Sequence, residues 1–212
     1  SSTTSTRPIR TGSSRRFSIW SERVAATRAR WFWIALLPVA GLFLFQGVRL
    51  ARVMVTWGDE SAYVHLGWLA VTGQVSLFQD ELVGHRMPLP FYLVGLTQLL
   101  WGPDLLVARL ASLAEGLLAL VLAAVVARRL AGPLAGLLAA LFLATQGVVV
   151  GYFATALYHS LTNAMLLGGL ALILCVRPPW GRLSGMAVIG LLGLTRTNLI
   201  PVVPAVLGVL LV

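Results

Sequence analysis

The chain has no lysine, a single cysteine (Cys175), three histidines (His65, His85 and His159) and seven acidic residues in 212 positions. Each scarcity excludes something. One cysteine provides neither a disulfide framework nor a thiolate metal site, and three scattered histidines do not make a histidine-rich metal centre. Charged residues are 11% of the chain, against about 25% in an ordinary soluble domain, which is too little polar surface to coat a water-soluble globule. What takes their place is apolar: 58% of the residues are hydrophobic and the mean hydropathy is +0.87. The apolar positions fall in runs that approach the ~20 residues a membrane-crossing helix needs. Because a spanning segment must satisfy its backbone internally, these values predict an all-α fold, a polytopic transmembrane helix bundle.

All 16 basic residues are arginine, and the formal charge is +9. That charge is unevenly placed. Arg7, Arg10, Arg15, Arg16, Arg23, Arg28 and Arg30 precede the first apolar run and face only one acid, Glu22. The composition of residues 1–30 predicts a disordered basic tail on the cytoplasmic side, under the positive-inside rule, in reach of anionic membrane lipid. No nucleic-acid partner is expected, because the basic residues are not interleaved with aromatic ones beyond Phe17 and Trp20. The apolar run from Trp31 to Val48 is longer than the 7–15 residue core of a cleaved signal peptide, so it is expected to stay in the mature protein as the first span.

Residues 31–212 then read as one transmembrane domain with a polar first loop, 51–103, on the extracytoplasmic side. The loop holds Asp59, Glu60, Asp80, Glu81, His85 and Arg86. Two short helices are expected in it, lying in the membrane interface. One runs from Asp59, as N-cap, to Thr72 before Gly73, with Ser61, His65 and Thr72 on a polar stripe. The other runs from Leu89 to Trp101 and stops at Gly102-Pro103. Further spans are predicted from Asp104 to Val126, Leu134 to Tyr152 and Leu161 to Val176. Arg128-Arg129 and Arg177 to Arg182 mark cytoplasmic turns. The segment from Leu183 to Val212 is apolar but interrupted by Gly190, Gly193, Arg196, Pro201 and Pro204, as one kinked helix or two half-helices. The sequence stops inside that apolar run, which predicts the N-terminal portion of a longer protein.

Three motifs carry the functional reading: Trp57-Gly58-Asp59-Glu60-Ser61-Ala62-Tyr63 after the first span, Arg86-Met87-Pro88-Leu89-Pro90-Phe91-Tyr92, and Ala108-Arg109-Leu110-Ala111-Ser112. In that order and spacing the chain resembles the polyprenyl-phosphate-dependent glycosyltransferases of the GT-C class, nearest by pattern to the protein O-mannosyltransferases and the lipid A aminoarabinose transferases of family 39. The resemblance implies a membrane enzyme that moves a sugar from a polyprenyl-phosphate donor to an extracytoplasmic glycan, lipid or protein hydroxyl. It implies Asp59 as the acceptor-activating carboxylate with Glu60 beside it, and a basic residue before Pro88, Arg86 with His85 next to it, as a donor-phosphate contact. The members of that class usually carry a second acid near the start of the fourth span. Here Ala154 to Ser160 offers only Tyr158 and His159.

The physical logic of the reaction agrees with that resemblance, although without it the residues favour Asp59 as a helix cap. Displacing a phosphate from an anomeric carbon needs a base for the acceptor proton and a cation for the leaving group. Asp59 and Arg86 are one of each, although a helix-capping carboxylate and a headgroup-snorkelling arginine explain the same residues structurally. Glu115 and Arg196 fall deep in apolar segments, where an unpaired charge is costly. Glu115 is therefore expected to pair with Arg196 or with Arg109, either as a structural ion pair or, for Arg196, as a donor-phosphate contact. No metal ligand set is specified, and a divalent metal is compatible with this chemistry as a cofactor. Two other classes compete: a non-catalytic membrane protein of the same architecture, and a transporter fragment. The arginine-only, Ala/Gly/Leu-rich usage suggests the cytoplasmic membrane of a GC-rich bacterium.

Overall fold

Apolar runs of this kind close their backbone hydrogen bonds locally, and the computed structural model holds no strand among the residues it describes, which are 12–56, 58–77, 87–201, 203–205 and 208, with side chains from residue 30 onward. The elements in chain order are α1 (Gly12–Val53), α2 (Gly58–Val71), α3 (Pro88–Trp101), α4 (Leu105–Ala131), α5 (Pro133–Thr145), α6 (Gly147–Phe153), α7 (His159–Cys175) and α8 (Trp180–Gly190), followed by 3-10 turns at Leu191–Leu194 and Thr197–Leu199. Two helical segments, Arg30–Val53 and Leu105–Ala131, are long and apolar enough to cross a membrane, and the α5–α6 pair makes a third if counted as one broken span.

Helix α4 is the hub, packing against α1, α3, α5 and α7. Its start is dictated locally: Asp104 caps it, the carboxylate accepting from the Leu106 and Val107 amides at 2.6 and 3.2 Å. Phe32, Leu36 and Phe43 of α1 are buried with Leu113, Leu120 and Ala124 of α4 in the main apolar core. Outward-facing Trp31, Leu37 and Phe45 on α1 are exposed, the pattern of a helix whose second face meets lipid rather than water. A second cluster, Tyr63, Leu66, Leu77 and Phe91, joins α2 to α3. There the backbones touch closely: a Cβ on Gly67 would lie 2.7 Å from the Phe91 carbonyl oxygen.

Three expectations change. First, α1 starts at Gly12, so the segment 12–30 is helical rather than without structure; Ala25, Ala26 and the arginines there have high helix propensity. Second, α2 begins at Gly58, which puts Asp59 inside the first turn instead of at the cap, where its charge still faces the positive end of the helix dipole. Gly73 does end the segment, at φ 73°. Third, the single span expected over Leu134–Tyr152 is bent by 76° between α5 and α6. Gln146 is extended there, and Thr145 turns its hydroxyl back to the Leu141 carbonyl at 2.8 Å, while Gln46 of α1 donates to the Ala144 carbonyl at 3.1 Å. The last apolar segment is broken at Thr195-Arg196, at one of its expected interruptions, where Arg196 is extended (φ −159°, ψ 134°). Helix α7, 17 residues long, is about 25 Å at 1.5 Å per residue, just short of a ~30 Å hydrocarbon core.

Candidate functional site

The break at Thr195-Arg196 matters because of what it faces. Asp59 and Tyr63 on α2, Met87 before α3, Tyr158 before α7, and Thr195, Arg196, Thr197 and Asn198 line one cavity of about 310 Å³. Helical spacing sets the α2 wall, since Asp59 and Tyr63 are one turn apart. Tyr63 is held by the Phe91 ring at 4.4 Å and lies 6.2 Å from the Tyr158 ring. The Arg196 guanidinium sits 4.7 Å over the Tyr158 ring, a cation–π arrangement. The break itself is fastened to α7, with Thr162 donating to the Thr195 hydroxyl at 3.1 Å and Thr195 donating to the Leu192 carbonyl at 2.7 Å.

A carboxylate and a guanidinium therefore share one polar cavity. Arg196 makes no ion pair among the described residues. His159 adjoins the cavity, its ring 4.2 Å from that of Tyr158 and 4.7 Å from that of Tyr152. Burial, and then the nearby Arg196 charge, hold its imidazole below the ordinary histidine value, so it is neutral near pH 7. A neutral imidazole can donate or accept a hydrogen bond but adds no cation.

Glu60 does not belong to this cavity, which corrects its expected place beside Asp59. It is fully buried and bound on both oxygens: Oε1 accepts from Arg109 Nε at 2.7 Å and from the Ala156 amide at 2.9 Å, and Oε2 accepts from Arg109 Nη2 at 2.7 Å. Arg109 Nη1 in turn donates to the Ala51 and Met54 carbonyls at 2.8 and 3.0 Å, closing the open carbonyl end of α1. This clasp ties α1, α2, α4 and the 154–157 turn together. It also holds in place the residues next to its own members, Asp59 beside Glu60 and Tyr158 two positions after Ala156.

The pairing expected for Glu115 is corrected as well. Its carboxylate accepts from the Ser160 hydroxyl at 3.1 Å, and Ser160 shares a 2.6 Å hydrogen bond with Ser112. Arg109 is committed to Glu60, and Arg196 lies exposed at the cavity rather than deep beside Glu115. Arg86 and His85, with Trp57, Asp80 and Glu81, lie outside the described residues. Among the described residues no three His, Cys, Asp or Glu side chains gather as a metal site. Sequence reasoning missed Tyr63, Thr195, Thr197 and Asn198. The signal for the last three was the polar run Thr195-Arg196-Thr197-Asn198 inside an otherwise apolar segment, where only the arginine drew notice.

Compared with protein-family models, with curated proteins and with solved structures, the chain matches none.

Proposed function

We propose that the chain is a membrane glycosyltransferase that moves a sugar from a polyprenyl-phosphate donor to an extracytoplasmic glycan, lipid or protein hydroxyl. One observation carries this reading: Asp59 and Arg196 line the same cavity of about 310 Å³. Inverting transfer requires that pair of charges. The acceptor oxygen forms the new bond to the anomeric carbon as the carbon–oxygen bond to the phosphate breaks; Asp59 takes the acceptor proton, and Arg196 holds the released polyprenyl phosphate. Tyr158, beneath the guanidinium at 4.7 Å, orients that cation, and Tyr158 and His159 supply hydrogen-bonding groups to the sugar. In this reading the helices form a polytopic bundle, α2 and α3 lie in the interface on the extracytoplasmic side, and the amino terminus is cytoplasmic, in the cytoplasmic membrane of a bacterium. A divalent metal is compatible with this chemistry as a cofactor.

The test is transfer from a radiolabelled polyprenyl-phosphate sugar in membranes that contain the protein. Asp59→Asn is expected to lower transfer by about 10²–10⁴-fold, the usual weight of a general base, with donor binding kept, and Arg196→Gln to weaken donor binding. Equal transfer by wild type and Asp59→Asn removes Asp59 from the mechanism. Absence of transfer by wild type favours the alternative of a non-catalytic protein with this architecture. The observation on that side is the lack of a second acid between Ala154 and Ser160, together with the engagement of Glu60 in the clasp.

A further inference from the structure

Helix α2 has two working faces. At about 100° per residue, Ser61, Val64, His65 and Trp68 lie roughly opposite Asp59 and Tyr63, and they line a separate cavity of about 260 Å³ closed by Thr56, Gln98, Pro103 and Leu105. Gln98 is 1% exposed, yet only half of its amide is satisfied. The nitrogen donates to the Val64 carbonyl at 2.8 Å and to the Val94 carbonyl at 3.4 Å, whereas the oxygen accepts from no described residue. A buried amide oxygen without a donor is uncommon in folded proteins and calls for a partner. In the same cavity the Trp68 indole N–H, the His65 imidazole and the Thr56 hydroxyl also have no hydrogen-bond partner among the described residues.

From this arrangement we infer that the cavity behind α2 binds one neutral pyranose ring. Among the described residues its lining has no carboxylate, guanidinium or ammonium group, which favours a neutral sugar over a phosphate or an acidic one. The Gln98 amide oxygen accepts from a sugar hydroxyl. The hydroxyls of Ser61 and Thr56 and the His65 ring serve the remaining ones, and Trp68 supplies the aromatic surface against which the C–H face of a pyranose packs. At about 260 Å³ the space is smaller than the roughly 300–1,000 Å³ of drug-sized ligand sites, the size of a single ring rather than a chain. The ring comes from a free glycan or from the headgroup of a neutral glycolipid. The site stands apart from the Asp59 cavity and does not depend on the transferase reading.

The experiment is saturation-transfer NMR on the full chain in nanodiscs, with neutral methyl pyranosides (gluco, manno and galacto) in one arm and a neutral monoglycosyl diacylglycerol doped into the disc in the other. Saturable transfer to sugar ring protons is expected in one arm at least, the arm identifying the source. Trp68→Ala, His65→Ala and Gln98→Met are each expected to weaken it by about tenfold, and Asp59→Asn to leave it unchanged. His65 is exposed, so His65→Ala keeps the test decisive if Gln98→Met does not fold. No saturable transfer in either arm, transfer that all three cavity variants retain, or an equal loss in Asp59→Asn overturns the inference.

Discussion

At the scale of single residues, the molecule spends its two neighbouring acids differently. Asp59 faces a polar cavity and Glu60 is buried against Arg109 with 2.7 Å hydrogen bonds. Two charges taken out of water together are tolerable only as a fully hydrogen-bonded pair, and removing one partner leaves the other uncompensated at a cost of about 3–5 kcal/mol. Glu60→Gln and Arg109→Gln are therefore each expected to lower the denaturation midpoint of the detergent-solubilised protein strongly. The double variant should be no worse than either alone, and a double loss equal to the sum of the singles contradicts the clasp. His159 gives a second prediction. Its folded-state value is depressed by burial and by Arg196, so the unfolded chain binds its proton more readily. Stability then falls as pH drops below the ordinary histidine value of about 6.5 and levels off once the pH is below the depressed value. His159→Gln should flatten that part of the stability–pH curve, measured by denaturant melts across pH 4–8; an unchanged slope removes His159 as its source.

At the scale of elements, the close approach of α2 and α3 sets the wall that carries both cavities. A Cβ on Gly95 would collide with the Gly67 carbonyl group, so Gly95→Ala must push the helices apart, and overpacking of this kind costs roughly 1–3 kcal/mol. Faster proteolysis within α2–α3 in Gly95→Ala than in wild type is the expected outcome, and equal rates refute the contact. Much at this scale was legible in advance. The Asp104 cap, the Gly73 stop and the bounds of α3 and α7 follow from hydrogen-bonding side chains and from glycine's access to positive φ, which act within a few residues, whereas α4 runs past the expected Val126 to Ala131. The 76° bend between α5 and α6 was not foreseen, because hydropathy averages over Thr145-Gln146-Gly147 and the Gln46 hydrogen bond that supports the turned chain comes from a residue 98 positions away.

At the scale of the whole molecule, the apolar outer faces of α1 and α4 and the uneven arginine distribution set how the protein would sit in a bilayer. If the arginine-bearing turns are cytoplasmic, Cys175, which is exposed at the end of α7, should react with a membrane-impermeant maleimide only after cells are permeabilised. Val55→Cys in a Cys175→Ser background, at a position 85% exposed just beyond α1, should react in intact cells. The reverse labelling pattern inverts the orientation and moves both cavities to the cytoplasmic side.

Composition and pattern were sufficient for the all-helical class, the apolar helices and most helix ends, because hydropathy, capping and turn chemistry are short-range properties of the chain. The tertiary structure decided which charges meet. It gave Arg109 to Glu60 rather than Glu115, left Glu115 to Ser160, and brought Arg196 across 137 residues of sequence to the cavity of Asp59. Pairing depends on distance in space after packing, and for residues this far apart no local rule in the sequence specifies it.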